Sequence, residues 1–119
     1  MRDRIPDPCR LLVVGINPGR LTEEVDAPFA HPGNRFWPAL ERAGITPYRV
    51  HAERGLADED AAMLAGMGIG FTNFVDRMTP RASALTREEL VAGGDKVRAC
   101  VARHRPDVVM VVGIGAFRD

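Results

Sequence analysis

Two apolar runs, Leu11-Leu12-Val13-Val14 near the start and Asp107-Val108-Val109-Met110-Val111-Val112 near the end, constrain the fold most. Each is continuous rather than alternating, as expected of strands covered on both faces, and helical patterns lie between them. Arg35–Ala43 carries Phe36, Trp37, Leu40 and Ala43 at helical spacings, closed by Gly44. Asp58–Gly66 reads as a short helix with its acidic residues at the start. Gly68–Val75 reads as a strand rich in β-formers, ending at Asp76-Arg77. Thr86-Arg87-Glu88-Glu89 is a capping box that opens a helix running to about His104, stopped by Pro106. Inside it, Gly93-Gly94 costs about 1 kcal/mol per residue relative to Ala, which makes sense where another backbone packs close. Strands alternating with helices give the α/β class, with a parallel, doubly covered central sheet.

At 119 residues, 45% apolar and 27% charged, the chain has the composition of one soluble domain. No apolar run approaches the roughly 20 residues of a membrane span. Residues 1–6 lack the apolar core of a signal peptide, so the expectation is a cytoplasmic protein with no membrane partner. Cys9 and Cys100 match no metal spacing and read as reduced thiols, a single disulfide being the alternative. His51 and His104 read as solvated, with no third ligand at metal spacing; neither a metal nor a cofactor is expected. Net charge is zero, which argues against strong nonspecific attraction to nucleic acid. The charge is uneven, however: Asp76–Arg105 holds seven basic and four acidic residues, and fifteen of the sixteen basic residues are arginine, a fork suited to phosphate. Met63 and Met67 read as core filler.

The first apolar run ends in Gly15-Ile16-Asn17-Pro18-Gly19. Gly tolerates backbone angles that other residues avoid, and Pro18 disfavours helix at Asn17. The pentapeptide thus places one uncharged polar side chain just beyond a strand's carboxyl end, where α/β proteins bind ligands. A plain strand-ending turn is the alternative. Ile16–Asn34 shows no clear period and is expected to be a long loop, a length that is often functional. Glu23, Glu24 and Asp26 read as its charged rim. It ends in Pro28-Phe29-Ala30-His31-Pro32-Gly33-Asn34-Arg35-Phe36-Trp37, an aromatic ring in a proline-bounded loop with His31, Asn34 and Arg35 nearby. Asp76-Arg77 reads as an ion pair at a strand end, with phosphate contact the alternative.

Together these blocks resemble the mismatch-specific uracil/thymine-DNA glycosylases of the uracil-DNA glycosylase superfamily. The resemblance rests on Gly15–Gly19, on Phe29–Pro32 through Asn34–Trp37, and on Gly70–Thr79. Glu88-Glu89-Leu90 leading to Gly93-Gly94, and the strand ending at Gly113, are also similar. It implies an α/β fold with a parallel central sheet flanked by helices. Asn17 matches the family's catalytic asparagine, which holds the hydrolytic water, and Phe29 the ring on which an extruded base stacks. Backbone groups of Ile16 and Phe29 would read the uracil edge, with Pro18, Gly19, Ala30 and His31 around the base. Asn34, Arg35, Arg77 and Thr79 would contact DNA. The implied partner is double-stranded DNA with G·U or G·T mismatches.

The chemistry suits these residue types. A base inside a duplex must be swung out to be reached. Its departure as an anion is stabilised by oriented N–H groups in a dry pocket. Asn17, a neutral amide, can orient water but cannot take its proton. Such an enzyme forgoes the ~10²–10⁴-fold of a general base, which favours mispaired bases that flip easily.

The family carries a second motif beyond the last strand, a loop that wedges into the duplex, and none occurs before Asp119. The expectation is a single glycosylase-like domain over residues 1–119, incomplete at its C-terminus, with weak activity. Its missing strand would leave apolar surface that invites self-association. One alternative is a catalytically inactive glycosylase-fold scaffold. The other is a nucleotide-binding module on Gly113-Ile114-Gly115, which lacks the third glycine and the ribose-binding acid.

Overall fold

A computed structural model describes residues 1–79 and 84–112 of the chain. They form, in order, β1 (Leu11–Gly15), α1 (Arg20–Val25), α2 (Phe36–Arg42), α3 (Asp58–Gly66), β2 (Ile69–Asn73), α4 (Arg87–His104) and β3 (Val108–Val111). The three strands make one parallel sheet in the order β2-β1-β3, as the apolar runs required. Leu11 pairs with Ile69 and Val108, and Gly15 with Asn73, so β1 and β2 end level with each other.

Alternation along β1 divides the core into two layers. Val13 joins Phe36, Trp37 and Leu40 of α2, Leu64 of α3, and Ile69 and Phe71 of β2 in the larger cluster. Leu12 and Val14 point the other way, toward Cys9 and Val97, with Cys100 and Val101 of α4 packed against them. Both cysteines are free thiols in that second cluster, and burial raises the pKa of each. Phe36, Trp37 and Phe71 pack edge-on or tilted, with ring centroids 4.9–6.1 Å apart.

The helix boundaries follow the sequence signals. α2 ends at Arg42, with Ala43 as its C-cap and Gly44 at φ 76°, the left-handed residue that closes a helix cheaply. α3 spans Asp58–Gly66 as read. α4 starts with the reciprocal capping box of Thr86 and Glu89. Its glycines divide in role. A Cβ on Gly93 would lie 2.3 Å from the Phe74 carbonyl oxygen, so close backbone approach explains that residue; Gly94 has nothing within 4 Å.

Four expectations need correction. Ile16–Asn34 is not structureless: six of its residues form α1, with Leu21 and Val25 packed on the core. Among the described residues β3 is not doubly covered, for Val108 is 57% exposed and Val109 and Val111 39% each. Met67 is exposed rather than core filler, whereas Met63 does pack on the core. Asp76 and Arg77 do not pair with one another; each reaches α4, Asp76 to Lys96 and Arg77 to Glu89. Gly113-Ile114-Gly115 and Ala116–Asp119 lie outside the described residues.

Candidate functional site

A cavity of about 290 Å³ opens at the carboxyl ends of the strands. Its volume is at the small end of ligand sites, suited to one planar ring and a water. Gly15, Ile16, Asn17, Pro18 and Gly19 line it after β1, Asn73 at the end of β2, and Val112 after β3. Phe29, Ala30, His31 and Asn34 line it from the segment between α1 and α2, and Thr79 from the segment after β2. Residues some sixty positions apart are thus gathered by the level ends of two paired strands.

The pentapeptide after β1 is rigid because it is stitched to the chain leaving β2. Phe74 N–H donates to Gly15 O and Val75 N–H to Ile16 O, both at 2.9 Å, and Thr79 N–H to Pro18 O at 3.3 Å. Pro18 itself is fully buried. The Asn17 amide closes this seam: its Nδ2 donates to Arg77 O at 2.9 Å and to Thr79 Oγ1 at 2.6 Å. A backbone carbonyl only accepts, so the Arg77 bond fixes which end of the amide is nitrogen. Both N–H groups are spent, and among the described residues Oδ1 keeps its acceptor capacity for a water.

Neither glycine of the pentapeptide uses a left-handed backbone. At Gly15 the constraint is space instead. A Cβ there would sit 2.5 Å from Asn73 Oδ1 and 3.7 Å from Phe29 Cζ. The glycine lets the Asn73 amide and the Phe29 ring approach the strand end together. Gly19 serves as the N-cap of α1.

Phe29 sits at φ 52°, an uncommon angle for an aromatic residue. One face of its ring stacks on Phe36, with centroids 4.1 Å apart and planes at 28°. The Trp37 indole N–H donates to Pro28 O at 3.1 Å, tying α2 to this segment. Asn34 Oδ1 accepts the Phe36 N–H at 2.8 Å and so helps start α2. His31 Nδ1 accepts the Gly33 N–H at 2.9 Å and lies on the exposed rim. The buried Thr22 hydroxyl of α1 accepts the Ala30 N–H at 3.2 Å.

Two of the expected DNA-contact residues do not line the cavity. Arg35 is the exposed N-cap of α2. Arg77 makes a two-pronged pair with Glu89, Nε to Oε2 at 2.9 Å and Nη2 to Oε1 at 2.8 Å. Thr79 is buried at 4% exposure beneath Asn17. The Arg77 guanidinium, then the Thr86 N–H, hold the Glu89 carboxyl down to a pKa of about 2. A chain of bonds therefore runs from the cap of α4 through Glu89 and Arg77 to Asn17.

Asn73, Thr72, Thr22 and Met1 also line the cavity, and sequence reading named none of them for the site. Asn73 lies in the Gly70–Thr79 block of the resemblance, and register adds the rest: a strand level with β1 places its last polar residue beside the Asn17 turn. Among the described residues no cluster of three or more His, Cys, Asp or Glu is placed to hold a metal. No helix among them is long and apolar enough to cross a membrane.

The family model described as the uracil DNA glycosylase superfamily matches residues 3–119, which takes in all three strands and the cavity lining apart from Met1. The chain belongs to the uracil DNA glycosylase superfamily, whose members act on DNA as hydrolases that release bases in base-excision repair.

Proposed function

We propose that this cavity receives a flipped uracil, or a related pyrimidine, from a G·U or G·T mismatch in double-stranded DNA and hydrolyses its N-glycosidic bond. The carrying observation is the Asn17 amide, whose two N–H groups are both engaged so that its oxygen is the group offered to water. Water held there attacks the sugar's anomeric carbon as the bond to the base breaks. The bonding electron pair leaves with the base, the water's proton passes to solvent, and an abasic sugar remains. Among the described residues no lysine side chain lines the cavity to attack the sugar covalently, which supports a monofunctional hydrolysis.

Phe29, backed by Phe36, supplies an aromatic wall for stacking, worth about 1–3 kcal/mol per base in single-strand recognition. The Asn73 amide stands beside Gly15 where it can bond a pyrimidine edge. His31, Asn34 and Arg35 form an exposed polar rim suited to the DNA backbone. Arg77, whose carbonyl accepts from Asn17 and whose guanidinium pairs with Glu89, and Thr79, whose hydroxyl accepts from Asn17, are assigned to holding the water site rather than to phosphate.

The reading is tested by incubating the protein with end-labelled G·U, G·T and G·C duplexes and scoring alkali-labile sites. Abasic product from the mismatched duplexes and none from G·C is the expected pattern. Absence of product at any protein concentration would favour the inactive-scaffold alternative.

A further inference from the structure

Residues 1–4 cross the molecule beside the cavity, and each makes a bond to an element that builds it. The Met1 backbone nitrogen meets the Glu23 carboxylate of α1. Its side chain packs on the larger core cluster and lines the cavity together with Phe29, Thr72 and Asn73. Arg2 grips Asp26 twice, N–H to Oδ1 at 2.8 Å and Nε to Oδ2 at 3.0 Å. Asp3 accepts the Thr72 hydroxyl at 2.9 Å. Arg4 exchanges both backbone bonds with Phe71, at 2.9 and 2.7 Å, and its Nη2 donates to Asp26 O at 2.7 Å.

Asp26 is where this matters. It ends α1 at φ 52°, and Phe29, three residues later, has the same left-handed angle. Two such residues are strained and persist only where surrounding bonds over-determine them. Thr22 O holds the Asp26 N–H from below, and the strap holds its carboxylate and carbonyl from above. Between Asp26 and Phe29 lie only Ala27 and Pro28, both buried, so a shift at Asp26 moves the Phe29 ring.

We propose that residues 1–4 are a strap whose clamp on Asp26 fixes Phe29 and whose Met1 side chain narrows the cavity, selecting against pyrimidines with bulky 5-substituents. The inference rests on the base-pocket reading of the cavity. Met1 is the long, flexible member of the cavity wall, a side chain that fills space by adjusting to its neighbours. Loosening the clamp enlarges the cavity and releases Phe29, so selectivity falls while Asn17, bonded to Arg77 and Thr79 on the far segment, keeps its partners.

The test uses the Arg2→Ala/Asp26→Asn double variant of the full chain. Asn tolerates the left-handed angle as Asp does, so the backbone preference at 26 is kept. Trp37, the single tryptophan, is bonded to Pro28 and reports the segment directly. Acrylamide quenching of its emission is expected to at least double. Titration with uracil and with 5-ethyluracil, followed by the same emission, is expected to show about a tenfold loss of preference for uracil. Quenching like the wild type overturns the proposal, and so does an unchanged preference in a loosened variant. If the double variant unfolds, Arg2→Ala alone gives both readouts, its side chain being 88% exposed. Excision of uracil from duplex DNA is scored separately: its absence in the wild type removes the catalytic reading, whereas quenching and base titration still decide the strap.

Discussion

Gly15 carries a constraint that its neighbours in the pentapeptide do not. A methyl group there meets Asn73 Oδ1 at 2.5 Å, and the alternative is to push that amide into the cavity. Gly15→Ala is expected to cost about 1–3 kcal/mol in urea unfolding, the usual range for overpacking. It is also expected to weaken pyrimidine binding, because the displaced amide occupies the base's space. That Asn17 and Phe29 would lie close to a strand's end was suggested by a proline-bounded turn and a proline-bounded aromatic, while the roles proposed for them come from the family resemblance. Asn73 and Thr22 carry no such local signal. Their place at the site depends on strand register and on a helix in a segment without period, neither of which is a local property.

Among the elements, α4 was the most legible, since a capping box and a stopping proline are statements about hydrogen bonds within four residues. Its two glycines permit a test of opposite signs. Gly93→Ala is expected to destabilise by about 1–3 kcal/mol, because the Phe74 backbone 2.3 Å from the new Cβ cannot give way. Gly94→Ala, with open space around it, is expected to stabilise by up to ~1 kcal/mol. Denaturation midpoints of the two variants check this.

The cap also carries a pH dependence. Glu89, held near a pKa of about 2 against an ordinary 4.5, contributes fully at neutral pH and loses its contribution as pH falls from 4.5 toward 2. Asp26, lowered by the Arg2 N–H above all, acts in the same direction. Thermal midpoints of the wild type are expected to drop across that window, and those of Glu89→Gln to drop less. By contrast α1 escaped notice because six residues show less than two turns of pattern.

At the scale of the whole molecule, the α/β class and the parallel sheet were legible because continuous apolar strands leave few alternatives. The position of β3 was not, for an apolar run does not say whether it lies at the centre or the edge. Among the described residues β3 lies at the sheet edge with three exposed valines, and we propose that chains associate through this edge. Sedimentation velocity is expected to show concentration-dependent association that Val109→Lys abolishes; a wild type that stays monomeric at its highest soluble concentration contradicts this. We propose that the level ends of β1 and β2 build one water-positioning site at Asn17. It is tested most directly by single-turnover excision of uracil from a G·U duplex by the wild type and by Asn17→Ala, with circular dichroism and duplex binding measured alongside. The expected result is a rate roughly 10²–10³-fold lower in the variant, the range for losing one preorganised polar group, with fold and binding kept. Equal rates in the two proteins would contradict it.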